Sequence, residues 1–199
     1  MLSDTEGEEL VRLARSAVRQ YLANNSSLME PDWPPDTRRA GVFVTLNYLK
    51  GGEEHLRGCI GFPLAHGPLN KSVVEAAIAA ATQDPRFAPV DEKELGNIIF
   101  EVSVLTEPEE LKCKPADYAR QVRIGRDGLM MKWRHGSGLL LPQVPVELGW
   151  GIDEYLDNIC YKAGAPRDIL QEASTKLYTF QALVFKEQEP GGRVRRIAL

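Results

Sequence analysis

Three cysteines in 199 residues, Cys59, Cys113 and Cys160, are too few and too widely spaced for a disulfide framework or a paired-cysteine zinc site. Their scarcity fits a reducing compartment. No run approaches the roughly 18 apolar residues of a membrane span. The opening "MLSDTEGEEL" is acidic and has no apolar core, which argues against a signal peptide. An excess of positive charge is also missing. Lys and Arg number 24 against 28 Asp and Glu, a net charge of −4, so nucleic acid is an unfavoured partner. The basic cluster Arg193, Arg195 and Arg196 reads as a solvated tail or last strand. "IGRDG" lacks the strand–GxGxxG–helix context and the P-loop lysine, so it reads as a hairpin turn. His135 and Cys113 have no partner at ligand spacing. The expectation is a cytoplasmic protein with no membrane anchor, no metal and no cofactor.

What is present is an ordinary globular composition, 43% apolar and 26% charged. A chain of this length buries enough surface to fold without a staple. Leu10, Leu13, Ala14, Ala17, Val18, Tyr21 and Leu22 recur at helical spacing and predict a helix over 4–24, with Ser3 or Asp4 as its cap. Residues 25–38 hold three prolines and read as a loop. Two strand-like runs flank Gly51-Gly52, a hairpin signal. An alanine-rich helix is expected over 68–83, apolar on most sides and therefore deeply buried. A helical turn follows at 91–95, a central strand at 98–105 and a short helix at 115–121. "VRI", "GLMMKW" and "GLLL" read as a small meander with turns at Gly125–Gly128 and Gly136–Gly138. A helix over 152–163 closes at Gly164, a short one starts near Pro166, and a last strand spans 179–187. Interleaved helices and hairpins imply an α+β fold with antiparallel sheets.

The segment "HLRGCIGF", His55 to Phe62, carries the most chemistry. In a regular strand Arg57, Cys59 and Gly61 share one face, and a cation beside a thiol lowers its pKa. Gly58 and Gly61 leave bare backbone, which marks a bulge or a close approach. His55 is roughly 13 Å from Cys59 along the strand, so a Cys–His pair would need His66 or His135. A plain two-residue turn puts Val44 opposite Cys59 and Leu46 opposite Arg57. That face looks like core, so Cys59 can equally be packing. Arg57 then needs a carboxylate, Glu101 or Asp84. "QDPRFAP" presents Asp84 and Arg86 on a stiff loop, suited to an anion or to a salt-bridged turn with Phe87 as a plug. Gln143, after Pro142, can orient a substrate or bond the backbone. Lys162 suits a helix C-terminus, and Trp150 an interior plug.

"LRGCIG" resembles the signature of the AMMECR family, named from a human Alport-syndrome deletion region. "DPRF", "VSVLT", "LLPQV", "ELGW" and "CYKAG" follow in the family's order, from about Gly41 to Gly164. The resemblance implies an intracellular α+β protein of two subdomains, one about 1–110 plus 175–199 and a smaller one about 111–174, with "LRGCIG" near their junction. It carries over no catalytic residue. Fusions and gene neighbours in the family imply a Memo-like or radical-SAM protein as partner. Three functions stand open: an enzyme or binder of a small anionic ligand in a cleft between subdomains, with Cys59 catalytic and Arg57, Gly58, Gly61, Asp84, Arg86 and Gln143 binding; an adaptor for such a partner; and a nucleotide or RNA binder.

Overall fold

The computed structural model describes residues 2–24 and 38–198, so all but the last residue of the proline-rich loop expectation lies outside the described residues. In chain order the elements are α1 (Asp4–Asn24), β1 (Gly41–Lys50), β2 (Glu53–Phe62), α2 (Leu69–Thr82), a 3-10 helix over Glu92–Asn97, and β3 (Ile98–Leu105). Then follow β4 (Glu109–Glu110), α3 (Tyr118–Gln121), β5 (Gly128–Trp133), β6 (Gly136–Leu140), α4 (Gln143–Glu147), α5 (Ile152–Lys162), β7 (Lys176–Phe180), β8 (Ala182–Glu187) and β9 (Val194–Ile197). The fold is α+β. It holds a five-stranded sheet ordered β2-β1-β3-β8-β9 and a four-stranded sheet ordered β4-β7-β5-β6, both antiparallel. The chain divides into two units, residues up to 105 with 183–198, and residues 106–182.

In the first unit α1 starts at a capping box. The Ser3 hydroxyl accepts the Glu6 N–H at 3.3 Å, and Glu6 accepts the Ser3 N–H at 2.8 Å. Its apolar stripe and the broad alanine-rich face of α2 share one core with Val42, Val44 and Leu46 of β1 and Ile98, Phe100, Val102 and Val104 of β3. Alternate strand residues supply that core, as a sheet with helices on one face requires. Arg15 of α1 is buried there. Glu187 of β8 neutralises it at 2.5 Å, the Leu95 and Ile98 carbonyls accept its other donors, and Glu187 also accepts the Phe100 N–H.

The β1–β2 hairpin turns at Gly51 and Gly52, whose φ values of 63° and 88° favour glycine. Pairing follows the plain two-residue turn as far as Asn47 opposite Leu56. A bulge at Arg57 then shifts the register by one, so that Leu46 faces Gly58 and Thr45 faces Cys59. This corrects the expected pairs Val44–Cys59 and Leu46–Arg57. Gly58 and Ile60 point to the helices, and Cys59 and Gly61 to the other face. The reason is α2. A Cβ on Gly58 would sit 2.1 Å from the Ala80 carbonyl oxygen, so β2 and α2 approach backbone to backbone.

In the second unit β5 and β7 pack Leu129, Met131 and Leu177 against Tyr155, Leu156, Ile159 and Cys160 of α5. Gly136 and Gly138 are strand residues of β6 rather than a turn. A Cβ on either would lie 2.8 Å from the Ala163 backbone. "VRI" forms no strand: the Asp127 carboxylate accepts the Arg123 N–H and closes a turn there. The expected strand over 179–187 is two strands in two sheets, β7 and β8, broken at Gln181. At that break Thr106 and Gln181 exchange hydrogen bonds, N–H to carbonyl and N–H to hydroxyl, both 2.9 Å.

Candidate functional site

Arg57 is spent on structure. Its Nε and one Nη donate to the two oxygens of Glu94 at 2.9 Å each, and the guanidinium also bonds the Ala88 and Pro89 carbonyls at 2.8 and 3.3 Å. Only 15% of its side chain is exposed. Glu94 in turn caps the 3-10 helix by accepting the Asp91 N–H, and the guanidinium holds its carboxyl below the usual range. The carboxylate is thus Glu94, not Glu101 or Asp84. The bulge turns Arg57 toward residues 88–94, where it braces β2 against the loop.

Asp84 does the corresponding work for Arg86. It is 2% exposed as a side chain and accepts four hydrogen bonds. Two come from Arg86 Nε and Nη2 at 2.9 and 2.7 Å, one from the Arg86 N–H at 3.1 Å and one from the Cys59 N–H at 2.9 Å. Arg86 Nη2 also lies 3.5 Å from the Cys59 carbonyl. The Asp84–Arg86 pair therefore takes the place of a neighbouring strand along the β2 edge. The guanidinium, with the backbone donors, holds the Asp84 carboxyl far below its ordinary range. Arg86 remains 52% exposed, with its guanidinium 5.4 Å from the Phe87 ring centroid.

The Cys59 side chain lies on the sheet face away from the helices. Thr45, directly opposite on β1, donates its hydroxyl to the sulfur at 3.3 Å. Thr45 is also directly opposite Glu101 on β3. Beyond Glu101, Lys186 of β8 places its ammonium 4.0 Å from Glu101 and 2.6 Å from Glu54, and Asn47 donates to Glu54 at 3.1 Å. A polar row thus crosses the sheet from Arg86 through Cys59, Thr45 and Glu101 to Lys186. Gly61 opposes Phe43, and a Cβ there would lie 2.5 Å from the phenyl Cγ, so the ring covers the glycine beside the thiol.

Burial pushes the Cys59 thiol above its ordinary range, with Glu101 and Asp84 adding to the rise while the Thr45 hydroxyl and Arg86 oppose it. The resting group is a neutral thiol. The cation that acts on it is Arg86. A nucleophile here needs a ligand or a change of charge nearby to become a thiolate.

Gln143 is buried at the start of α4 in the second unit, and Cys160 is buried in α5 with its sulfur 3.9 Å from the Met131 sulfur. His66 stacks on Phe62 and faces Glu75, and His135 meets the edge of Trp133. Among the described residues no group of three or more His, Cys, Asp or Glu is placed to hold a metal, and no helix is long and apolar enough to cross a membrane. Sequence reasoning missed Thr45, Lys186 and Glu94. A threonine inside "VFVTLNY" was the available signal, because it is the one aliphatic hydroxyl in that largely apolar stretch.

Comparison with known proteins gives a consistent result. The AMMECR1 family model matches residues 11–185. A protein of Thermococcus gammatolerans is 48% identical over 198 residues, covering 98% of this chain and 97% of its own length. One of Methanothermobacter thermautotrophicus is 49% identical over 189 residues, covering 94% and 96%. The crystal structure of the uncharacterised protein PH0010 from Pyrococcus horikoshii superposes with a TM-score of 0.93 at 46% identity, over 100% of this chain and 99% of that one. The motif order from "LRGCIG" to "CYKAG" and the matches over nearly the whole length agree: the chain belongs to the AMMECR1 family.

Proposed function

We propose that the protein binds a small anionic ligand at the β2 edge, with Arg86 as its anchor and Cys59 as the thiol presented to it. One observation carries this reading: the Asp84 carboxylate holds the Cys59 backbone and the Arg86 guanidinium at once, which fixes a half-exposed cation beside a thiol. A guanidinium held in one orientation loses little freedom when it meets a carboxylate or phosphate. Arg57, Gly58 and Gly61 serve the site by shaping the strand rather than by touching the ligand.

The test is the rate at which iodoacetamide alkylates Cys59 in the folded protein, read by peptide mass spectrometry, with Cys113 and Cys160 as internal references. Simple carboxylates and inorganic phosphate are added in turn. At least one should slow Cys59 selectively, and Arg86→Gln should abolish that protection. If no anion protects and Arg86→Gln changes nothing, the reading fails. The partner role implied by the family resemblance then takes its place, to be tested by co-purification with a Memo-like or radical-SAM protein.

A further inference from the structure

We propose that β9 is a docking edge for an acidic, extended segment of a partner protein, which adds to the first sheet as a further antiparallel strand. The proposal concerns the opposite edge of the sheet from Cys59 and does not rest on the anionic-ligand reading.

The first sheet ends at β2 on one side and at β9 on the other. An edge strand leaves a row of backbone donors and acceptors without partners. At β2 the chain fills that row itself: Asp84 takes the Cys59 N–H, and Arg86 lies against the Cys59 carbonyl. β9 has no such plug among the described residues. The Gln188 N–H donates to the Arg193 carbonyl at 2.9 Å, which starts the ladder with β8. Alternation then turns the N–H and C=O of Arg195 and Ile197 toward Lys186 and Val184, and those of Val194 and Arg196 outward. The outward groups meet no partner among the described residues.

The side chains along this edge carry charge of one sign. Arg193, Arg195 and Arg196 are exposed, in a chain whose net charge is −4. Arg196 lies 3.9 Å from the exposed Asp4, and Arg193 and Arg195 have no acidic partner within ion-pair distance among the described residues. Across the ladder Arg195 faces another cation, Lys186, which Glu54 holds at 2.6 Å. Ile197, on the same face as Arg195, is 39% exposed. An edge that alternates donors and acceptors fits a peptide strand. The phosphates of a nucleic acid only accept, and would leave the outward carbonyls unmet.

Register sets the pattern of the segment. Directly opposite side chains of an antiparallel pair have Cβ atoms about 5 Å apart, close enough for carboxylate–guanidinium pairs. Val194 belongs to the core, so an apolar residue opposite it extends that core. Opposite Ile197, Arg196, Arg195, Val194 and Arg193 in turn, the segment reads apolar, acidic, acidic, apolar, acidic from its N-terminal end.

The probe is a fluorescein-labelled peptide, Val-Glu-Glu-Val-Glu between serines, titrated with the whole protein at low salt and read by fluorescence anisotropy. Its comparison is the same peptide N-methylated at the second and fourth of those residues, whose N–H groups face β9. The expected result is saturable binding of the parent peptide, about tenfold weaker in the N-methylated form. Arg195→Glu should weaken the parent about tenfold as well. Arg196→Pro removes an outward N–H and leaves the ladder with β8 unbroken, so it should weaken binding about tenfold, against about twofold for Arg196→Ala. No binding of the parent peptide overturns the proposal, and the arginines then serve only to keep this edge from pairing with other sheets. Equal binding of the two peptides, or equal loss in Arg196→Pro and Arg196→Ala, overturns strand addition. Tighter binding of a single-stranded oligonucleotide of equal charge also overturns it, in favour of a general polyanion patch. The peptide comparison needs no variant, so a substitution that fails to fold leaves the test intact.

Discussion

Two arginines grip the same stretch of loop, and they do different jobs. Arg57 reaches it from β2 through Glu94 and two backbone carbonyls and is nearly covered. Arg86 belongs to the loop itself, is clamped by Asp84 and keeps half its surface open. Both are bidentate with a carboxylate, so the residue pair alone does not separate brace from anchor. The number of additional acceptors and the exposed fraction do. A guanidinium with four hydrogen bonds to protein atoms has little to offer a ligand, and one with an open edge has more.

The comparison can be broken most severely at the bulge that turns Arg57 away from Cys59. Gly58→Ala sets a methyl against the Ala80 carbonyl and should cost more than about 3 kcal/mol, read as a lower urea midpoint or loss of folded protein. Removing the brace itself comes next. Arg57→Ala leaves Glu94 and two carbonyls without their donor and should cost about 2 kcal/mol, while protection of Cys59 by ligand survives in the folded fraction. Unchanged stability would sink the structural reading of Arg57. The anchor should show the opposite pattern. Arg86→Gln keeps a donor for Asp84 and should cost about 1 kcal/mol at neutral pH, yet lose ligand protection.

Acid sharpens the same contrast. Asp84 has a depressed folded pKa, so its contribution is present above the ordinary carboxylate pKa and is lost as pH falls below it. In Arg86→Gln that acid loss should be smaller and complete at a higher pH, measured as the urea midpoint against pH, because the cation that depresses the folded carboxyl is gone while the unfolded carboxyl is unchanged. Thr45→Val is the smallest change, about 0.5 kcal/mol. Its effect should appear in the thiol: removing the hydroxyl donor moves the Cys59 alkylation profile to still higher pH. A shift to lower pH would remove Thr45 from the site.

Much of the fold was legible because local pattern and tertiary packing agreed. The helix over 4–24, the Gly51-Gly52 turn and the central strand at 98–105 each carry their own period or turn chemistry. Gly58 and Gly61 marked a bulge or a close approach, but the bulged residue and the resulting register were not legible, because they depend on the approach of Ala80, more than twenty residues away. Glu94 was missed for the same reason: a helix cap became the partner of a strand arginine only through the fold. The single run over 179–187 concealed two strands because both are apolar and nothing in the residues marks a change of sheet at Gln181. Of the site, Arg57, Cys59, Asp84 and Arg86 were singled out from sequence. Their division into brace, thiol, clamp and anchor arises only in the fold.

The hydrogen bonds between Thr106 and Gln181 bear on how the chain is assembled. They join the first and nearly the last residue of the second unit, while β3 and β8, the strands on either side of it in sequence, are neighbours in the first sheet. The whole segment from 106 to 182 is therefore spliced into what would otherwise be a β-hairpin. A short turn from Leu105 to Leu183 closes the first unit into an uninterrupted five-stranded protein that retains Cys59, Thr45, Glu101, Asp84, Arg86 and Lys186. The pairing of β3 with β8 depends on where the ends of that block lie and not on its length.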